Sequence, residues 1–345
     1  MKTLARIALI AISLAATIYF VPWNLLGVYL SPLPDTVQEQ VEDATRHGLD
    51  GILVYVERGG QEPVIHTAGW KDRAKEIPAD PAALFKIASI TKLYVAATVT
   101  RLADRGVLDL DQTLDTYLPD IAARIPYAER VTLRMLVQHR SGIPNYNDVG
   151  DYDWFDMSGD KPDEITRVYD LPPDFEPGSG EGYSNTNYLL IGRIMEAATG
   201  KRWEALVREE ILRPLELERT VFSIREVELE DLASGYMKGW DGDLKELDYP
   251  GPAGAMIAPI DEVGVFLRAL NNGSLLSETE QVTYSDLYRY GHTGLLPGYS
   301  SIARYHPDID AVVIQFVNTS GGDSWSVHEA SYNRVVKILR APGGG

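Results

Sequence analysis

The chain has 345 residues, of which 45% are apolar and 24% are charged, a composition that is typical of a folded protein and excludes global disorder. Its 32 lysines and arginines against 50 aspartates and glutamates give a net charge of −18, which disfavours binding to nucleic acid. The absence of cysteine excludes disulfides, thiolate catalysis and cysteine-ligated metal sites.

The N-terminal region predicts a membrane segment. Lys2 and Arg6 precede residues 7–30, a run of 24 residues without a charged side chain, and a helix needs only about 20 to cross a bilayer. Residues 31–42 carry three acidic side chains and no basic one, so the positive-inside rule places the rest of the chain outside the cytoplasm. We expect an exported protein that is anchored in the inner membrane and faces the periplasm or cell exterior. Secretion after cleavage of a signal peptide, with a small-residue site at 13–15, is the alternative.

Strand-forming segments lie near both ends of the remaining chain. The runs Gly51–Arg58 and Val64–Trp70 flank Gly59-Gly60 and therefore predict a β-hairpin. A second pair, Tyr299–Tyr305 and Ala311–Asn318, predicts two further strands. Strands from both ends favour one antiparallel sheet that is flanked by helices.

The middle of the chain favours helices, because helix-forming segments end there at glycine or before proline. The predicted helices are 89–105, 131–139, 188–199 and 203–212, with a terminal helix at 326–339. This order predicts an α+β fold in which a helical domain, at about 107–250, is inserted into the sheet domain. The expected division is an anchor or signal at 1–30, a linker and first helix at 31–49, and one domain at 50–345.

A candidate nucleophile occurs at the start of the first of these helices. Ser89 and Lys92 form an S-x-x-K motif, and a spacing of three residues puts both side chains on one helix face. A serine hydroxyl needs a base to become an effective nucleophile, and a lysine is a base only where burial or a neighbouring cation lowers its pKa. A helix-capping serine followed by a solvent-facing lysine would give the same motif.

Two further motifs follow in the chain. Tyr183-Ser184-Asn185 comes after the glycine-rich loop at 177–182, and His292-Thr293-Gly294 comes before a turn at Gly298. Each residue alone fits a structural role, as a half-buried tyrosine, a helix-capping asparagine or a surface histidine. S-x-x-K, Y-x-N and H-T-G in this order are far more specific than any one of them.

With these motifs the sequence resembles the serine β-lactamase and penicillin-recognising family, in the branch that holds class C β-lactamases, the Streptomyces-type D-alanyl-D-alanine carboxypeptidase, D-aminopeptidases and related esterases. The resemblance implies a β-lactamase/transpeptidase-like fold, an acyl-enzyme mechanism, and neither a cofactor nor a metal. It extends over about residues 51–339. The matching segments are Leu84–Lys92, Gln138–Pro144, Pro177–Tyr188, Gly251–Gly254 and Gly291–Ser300.

The resemblance also implies catalytic roles for three residues. Ser89 would attack the carbonyl carbon and become acylated, and Lys92 would accept or relay its proton. Tyr183 would pass a proton to the leaving group and then activate the hydrolytic water, as a two-step acyl transfer requires.

Substrate binding is implied for the remaining motif residues. Asn185 would hold the amide of the substrate, and the strand with His292, Thr293 and Gly294 would lie along it. The N–H group of Leu295 would form an oxyanion hole together with that of the nucleophile.

Two departures from the family pattern limit this interpretation. Class C β-lactamases usually have lysine where this chain has His292, which disfavours an efficient β-lactamase. Only 15 residues separate Leu276 from His292, so residues 278–284 could replace a hairpin and shorten the sheet edge.

We therefore expect a serine hydrolase with a D-alanyl-D-alanine carboxypeptidase-like or D-amino-acid peptidase activity. The partners would be small-molecule or peptide substrates, including peptidoglycan stem peptides. A carboxylesterase, a weak class C-like β-lactamase and a non-catalytic peptidoglycan-binding protein are the alternatives. The aromatic segment 151–163, with Tyr152, Trp154 and Phe155, would form either a wall of the pocket or the core of the helical domain.

Overall fold

A computed structural model of the chain describes residues 23–156 and 163–341, together with residues 6, 7, 10, 12–14, 17, 19 and 21. Much of the predicted anchor at 1–30 therefore lies outside the described residues. Among the residues that are described, no helix combines the length and the apolar character that a bilayer-spanning segment needs.

The fold is organised around a six-stranded antiparallel sheet. Its strands are β1 (Gly51–Arg58), β2 (Val64–Asp72), β3 (Ile77–Pro78), β7 (His292–Leu296), β8 (Tyr299–His306) and β9 (Ala311–Val317). The spatial order is β3-β2-β1-β9-β8-β7. Because β1 pairs with β9, with Val54 opposite Gln315, the two ends of the chain form one sheet, which confirms the predicted α+β fold.

Both faces of the sheet are covered, because successive side chains of β1 point alternately into two hydrophobic cores. Leu53 and Tyr55 point into the larger core, where α9 (Ile260–Asn272) packs on the sheet. Ile52, Val54 and Val56 point to the opposite face. That face is covered by α2 (Val37–Arg46) and α11 (Ser324–Arg340).

The remaining elements lie before the main sheet, between its two halves, or, for the short strand Thr319–Ser320, directly after β9. The helices are α1 (Trp23–Leu30), α3 (Thr91–Asp104), α4 (Leu114–Tyr117), α5 (Pro119–Ala122), α6 (Leu133–Val137), α7 (Asn185–Thr199), α8 (Trp203–Val207) and α10 (Glu278–Leu287). Two short sheets pair β4 (Leu84–Lys86) with β6 (Ile257–Pro259), and β5 (Tyr236–Met237) with β10 (Thr319–Ser320). One continuous hydrophobic core joins the sheet to the helices of the middle region, and the boundaries of the helical domain stay a prediction.

Several predicted elements differ in detail. The predicted helix at 203–212 divides into α8 and a π-helical turn at Arg208–Leu212, and α7 begins at Asn185 rather than at residue 188. The short segment before His292 forms helix α10, whose N-terminus is capped by Ser277 and Glu280. β7 follows this helix as the edge strand of the sheet.

Candidate active site

The candidate nucleophile lies in a strained turn. Ser89 is in a 3₁₀ turn, Ala88–Ile90, that leads directly into α3. Ala88 has a φ of 51°, in the left-handed region where a side chain costs about 1–3 kcal/mol. Such strain persists only where the surroundings hold it, and Ala88 is buried here. The turn thus fixes the position of Ser89 between β4 and α3.

Lys92 is buried because the helix that carries it is buried on nearly every side. Lys92 is 0% exposed. Its Nζ lies 3.1 Å from Ser89 Oγ and 2.8 Å from Asn185 Oδ1, and it also contacts the carbonyl oxygen of Ala253. Burial alone holds the pKa of Lys92 well below its usual range, which favours the neutral amine.

The three contacts of Lys92 fit both of its protonation states. A neutral amine has two N–H donors for Asn185 Oδ1 and the Ala253 carbonyl, and its lone pair then accepts the hydroxyl proton of Ser89. After it takes that proton, its three N–H groups have the same three oxygen atoms as acceptors. Lys92 can therefore act as the base without any rearrangement of its neighbours.

Tyr183 approaches the same serine from the solvent side. Its hydroxyl donates a hydrogen bond of 2.8 Å to Ser89 Oγ. Burial raises the pKa of Tyr183 to about 12, and its hydrogen bond with Ser89 and the charge of Arg289 oppose the rise. The phenol is therefore neutral near pH 7 and serves as a proton donor, while 43% of the residue stays exposed to an incoming substrate.

His139 supports Tyr183 from beneath and was assigned no role in the sequence analysis. Its ring lies 4.6 Å from that of Tyr183, and its Nδ1 accepts the N–H of Ser184 at 3.2 Å. Burial, with the charge of Lys92, lowers the pKa of His139 to about 3. The signal was available, because His139 lies inside the matching segment Gln138–Pro144.

Asn185 connects the two halves of the site. Its Oδ1 accepts a hydrogen bond from Lys92, while its Nδ2 donates to Asn147 Oδ1 at 2.7 Å. Its backbone N–H donates to Asn145 Oδ1 at 2.9 Å. The sequence analysis missed Asn145 and Asn147, which directly follow the matching segment Gln138–Pro144.

The third motif lies beside the nucleophile on β7. A Cβ atom on Gly294 would lie 3.0 Å from the Cβ of Ala88, and still nearer to the carbonyl oxygen of Ile87. Glycine therefore lets this strand approach the nucleophile turn. Thr293 is only half-buried, and Leu295 is 54% exposed and lines the cleft beside Ser89.

His292 is neutral at this position. Burial, together with the charge of Lys92, lowers its pKa to about 3. Its Nδ1 lies within hydrogen-bonding distance of the Thr293 carbonyl oxygen, so this nitrogen carries the proton. The Tyr288 ring lies nearly parallel to the imidazole, with 5.9 Å between centroids. His292 therefore presents no fixed positive charge to a substrate.

The cleft that contains Ser89, Asn185 and Leu295 has an aromatic wall. Tyr152 and Trp154 belong to it, and they also pack against the main core, so both interpretations of the aromatic segment hold for these residues. Phe155 turns away and stacks on Trp240 at 4.2 Å. Residues 157–162 of that segment lie outside the described part of the chain. Two larger clefts contain none of the motif residues.

No cluster of three or more histidine, aspartate or glutamate side chains among the described residues could hold a metal ion. The groups that meet at the site are the serine, the buried lysine and the neutral tyrosine. Together these groups can transfer an acyl group to Ser89 and move the accompanying protons.

Comparison with known sequences supports the same assignment. A sequence profile described as Beta-lactamase matches residues 33–289. Penicillin-binding protein 4* of Bacillus subtilis is 29% identical over 183 residues, which cover 51% of this chain and 38% of that protein. Protein flp of Staphylococcus aureus is 25% identical over 211 residues, which cover 59% of this chain and 42% of that protein. The chain thus spans about two fifths of the length of these curated relatives.

Solved structures match over most of the chain. The D-amino acid amidase from Ochrobactrum anthropi SV3, complexed with L-phenylalanine amide, has a TM-score of 0.76 at 25% identity and covers 90% of this chain and 99% of that one. A D-stereospecific amidohydrolase from Streptomyces has a TM-score of 0.73 at 25% identity, covering 86% of this chain and 97% of its own. A penicillin binding protein from Bacillus halodurans has a TM-score of 0.73 at 23% identity, and the match covers 85% of this chain and 98% of that one. This match shows the shared fold.

Proposed function

This chain belongs to the Beta-lactamase family and is a serine hydrolase, and from that premise we propose that it cleaves amide bonds of D-amino-acid derivatives through an acyl-enzyme on Ser89. The observation that carries the proposal is the position of Lys92, a buried amine with a lowered pKa that lies 3.1 Å from Ser89 Oγ. The two structural neighbours named for D-amino-acid and D-stereospecific amide hydrolysis support the substrate class.

The proposed reaction begins with proton transfer from Ser89 to Lys92 as Oγ attacks the carbonyl carbon. The N–H groups of Ser89 and Leu295 would stabilise the oxyanion that develops. Tyr183 then gives its proton to the leaving amine, and the proton on Lys92 replaces it. In the second half of the reaction water attacks the ester. Tyr183 accepts a proton from the water as it gives its own, through its hydrogen bond, to Ser89 Oγ, which leaves as the free hydroxyl.

Alternative substrates are weighed by their charge. A carboxypeptidase substrate or a β-lactam brings a carboxylate, for which the neutral His292 supplies no opposite charge. Arg289 is half-exposed near the mouth of the site, 3.9 Å from Glu181. The D-alanyl-D-alanine carboxypeptidase and β-lactamase activities are therefore the weaker candidates, and a neutral ester stays a possible substrate. A non-catalytic role would leave the base Lys92 without a use.

The experiment compares the purified full-length chain with its Ser89→Ala variant. We expect the wild-type protein to release ammonia faster from D-phenylalanine amide than from L-phenylalanine amide, and a fluorophosphonate probe to label Ser89 in a mass spectrum. Ser89→Ala should be folded, inactive and unlabelled. Tyr183→Phe should label at Ser89 but lose about 100- to 10,000-fold in turnover, because it lacks the proton donor. Undiminished labelling of folded Ser89→Ala would refute the proposal.

We also propose that the chain is exported and attached to a membrane through residues 7–30. In support, α1 exposes Trp23, Tyr29 and Leu30 by 57%, 68% and 74%, as expected for a helix that meets the lipid interface. Arg334 donates to the carbonyl groups of residues 28, 31 and 32, which ties the end of α1 to the folded domain. The chain should stay in the membrane fraction after a high-salt wash, whereas recovery of a soluble form that begins near residue 16 would indicate signal cleavage.

An exported hydrolase of this kind would meet peptidoglycan stem peptides, which we propose as its partners for the weaker carboxypeptidase candidate. Release of D-amino acids from purified stem peptides by the wild-type chain, and none by Ser89→Ala, would support that activity. Absence of release together with turnover of small D-amino-acid amides would point to free small molecules instead.

A further inference from the structure

One carboxylate lies in the wall of the catalytic cleft. Glu164 begins a 3₁₀ helix, Glu164–Val168, and lines the same cleft as Ser89. The hydroxyl of Tyr152 donates to Glu164 Oε1 at 2.8 Å, and Tyr146 lines the same cleft. Tyr152 therefore orients the carboxylate, and Glu164 itself is half-buried.

No positively charged side chain of the described residues pairs with this carboxylate. The arginines of the surrounding elements have other partners: Arg167 faces Asp151 and donates to the carbonyl oxygen of residue 149, and Arg193 pairs with Asp163. A half-buried carboxylate without a counter-ion is costly, since desolvation is not offset by a partner charge. A cationic group that enters the cleft would supply that partner.

The neighbours of Glu164 in the cleft are aromatic. Tyr146, Tyr152, Trp154 and Tyr249 line it together, with 4.9 Å between the rings of Tyr152 and Trp154. Faces of tyrosine and tryptophan rings attract ammonium groups, and the attraction strengthens where water is excluded. A carboxylate surrounded by aromatic rings is thus a site for an organic cation.

The rest of the cleft offers nothing to an anion. Among the described residues that line it, Glu164 is the one with a charged side chain. Lys92 and His292 are buried, and burial lowers the pKa of both side chains. The cleft is therefore complementary to a cation.

We infer that Glu164 binds the protonated α-amino group of the substrate, so that the substrates are amides and short peptides with a free amino terminus rather than N-acylated ones. This inference rests on the proposed amide hydrolysis at Ser89 and names its substrate class. Glu164 is then a specificity residue: it holds the ammonium group, while Ser89 attacks the carbonyl next to it.

The test uses two substrates that differ in one charge, D-phenylalanine p-nitroanilide and its N-acetyl derivative, with the full-length chain. We expect kcat/KM to be higher for the free amine in the wild type. In Glu164→Gln the value for the free amine should fall about 10- to 100-fold, as a hydrogen bond to a charged group is lost, and the value for the N-acetyl compound should change little. Glutamine keeps an oxygen atom that can accept from Tyr152.

Asp163→Asn provides the matched control, because it removes the same charge one residue away. Asp163 pairs with Arg193, and its side chain accepts the N–H of residue 165, a cap that asparagine can also provide. Asp163 does not line the cleft that contains Ser89. The ratio of the two kcat/KM values should match the wild type in this variant.

The outcomes separate this inference from the proposed function. A loss of folding in Glu164→Gln would lower both kcat/KM values together, so an unchanged ratio overturns the inference. Equal or faster cleavage of the N-acetyl compound by the wild type also overturns it, while acyl transfer at Ser89 stands. If the wild type acylates Ser89 with neither compound, both the inference and the proposed function fail.

Discussion

Gly294 lets the edge strand β7 lie close to the turn that carries Ser89. The variant Gly294→Ala tests how strongly activity depends on the distance between β7 and this turn. The φ of Gly294 is not positive, so alanine adds no backbone strain and acts through its methyl group alone. The new Cβ would lie 3.0 Å from the Cβ of Ala88, and the backbone oxygen of Ile87 blocks it from another side.

The size of the effect follows from that distance. Carbon atoms in contact are optimally about 3.5–4.0 Å apart, so β7 must retreat from Ala88 by roughly 0.5–1.0 Å. A misplacement of about 1 Å in a catalytic site can cost roughly 100-fold in rate. Overpacking of this kind also lowers the free energy of unfolding by about 1–3 kcal/mol. We therefore expect a loss of 10- to 100-fold in kcat/KM from a protein that still folds.

The assay measures kcat/KM on D-phenylalanine p-nitroanilide beside thermal unfolding. Gly254→Ala is the matched control, because its new Cβ would lie 3.6 Å from the backbone of the same Ala88, an ordinary contact. This variant should lose far less activity than Gly294→Ala. Equal activity of Gly294→Ala and the wild type would refute the idea that Gly294 sets the distance between β7 and Ser89.

Three further predictions concern Lys86, His292 and Arg334. Burial lowers the pKa of Lys86 to about 7, whereas an unfolded lysine has a pKa of about 10.4. Between these values the unfolded state binds more protons, so the free energy of unfolding should rise with pH, by up to about 1.4 kcal/mol per pH unit, and urea unfolding of Lys86→Met should show a smaller rise. Because the pKa of His292 is about 3, the pH profile of kcat/KM from 5.5 to 7.5 should have the same shape in His292→Gln, and a limb near pH 6.5 that vanishes in the variant would contradict this. Arg334→Gln should speed limited proteolysis near residues 31–36 while amide hydrolysis is unchanged, because three carbonyl contacts to the N-terminal segment are lost.

The sequence predicted which side chains meet at Ser89 because the motifs that carry them are local. A spacing of three residues at a helix start is enough to bring Ser89 and Lys92 together, and the ordered motifs add Tyr183 and Asn185. The structure places Lys92 Nζ within 3.1 Å of Ser89 Oγ and 2.8 Å of Asn185 Oδ1, and the Tyr183 hydroxyl within 2.8 Å of the same serine oxygen. The strands at both ends were predicted for a similar reason, since their patterns are confined to a few residues.

Helix α10 was open to prediction and was not predicted. Ser277 and Glu280 form a capping box, with the serine side chain accepting the N–H of the glutamate and the glutamate accepting that of the serine. This pattern of serine followed three residues later by glutamate marks a helix start in the sequence itself. The resemblance to the family indicated only that the segment between Leu276 and His292 is short.

Other features depend on residues far apart in the chain and so could not be predicted. The protonation state of His292 depends on burial and on Lys92, which is 200 residues earlier. The proposed role of Glu164 depends on Tyr152, whose hydroxyl donates to its carboxylate, and on the aromatic rings that line the cleft with it. Local sequence patterns predict which residues form a helix or a strand. The cleft, however, is formed by loops between these elements.

Desolvation links the catalytic base to the choice of substrate. Lys92 is a base because water is excluded beneath Ser89 and no carboxylate stabilises its charged form, and the same exclusion of water keeps His292 neutral. Among the described residues that line the cleft of Ser89 there is therefore no fixed positive charge, and Arg289 lies outside that lining. In the described part of the cleft the remaining charge is that of Glu164, so the electrostatic selection falls on a cation. A positive charge placed in the cleft to bind a carboxylate would also lie near Lys92 and lower its pKa further.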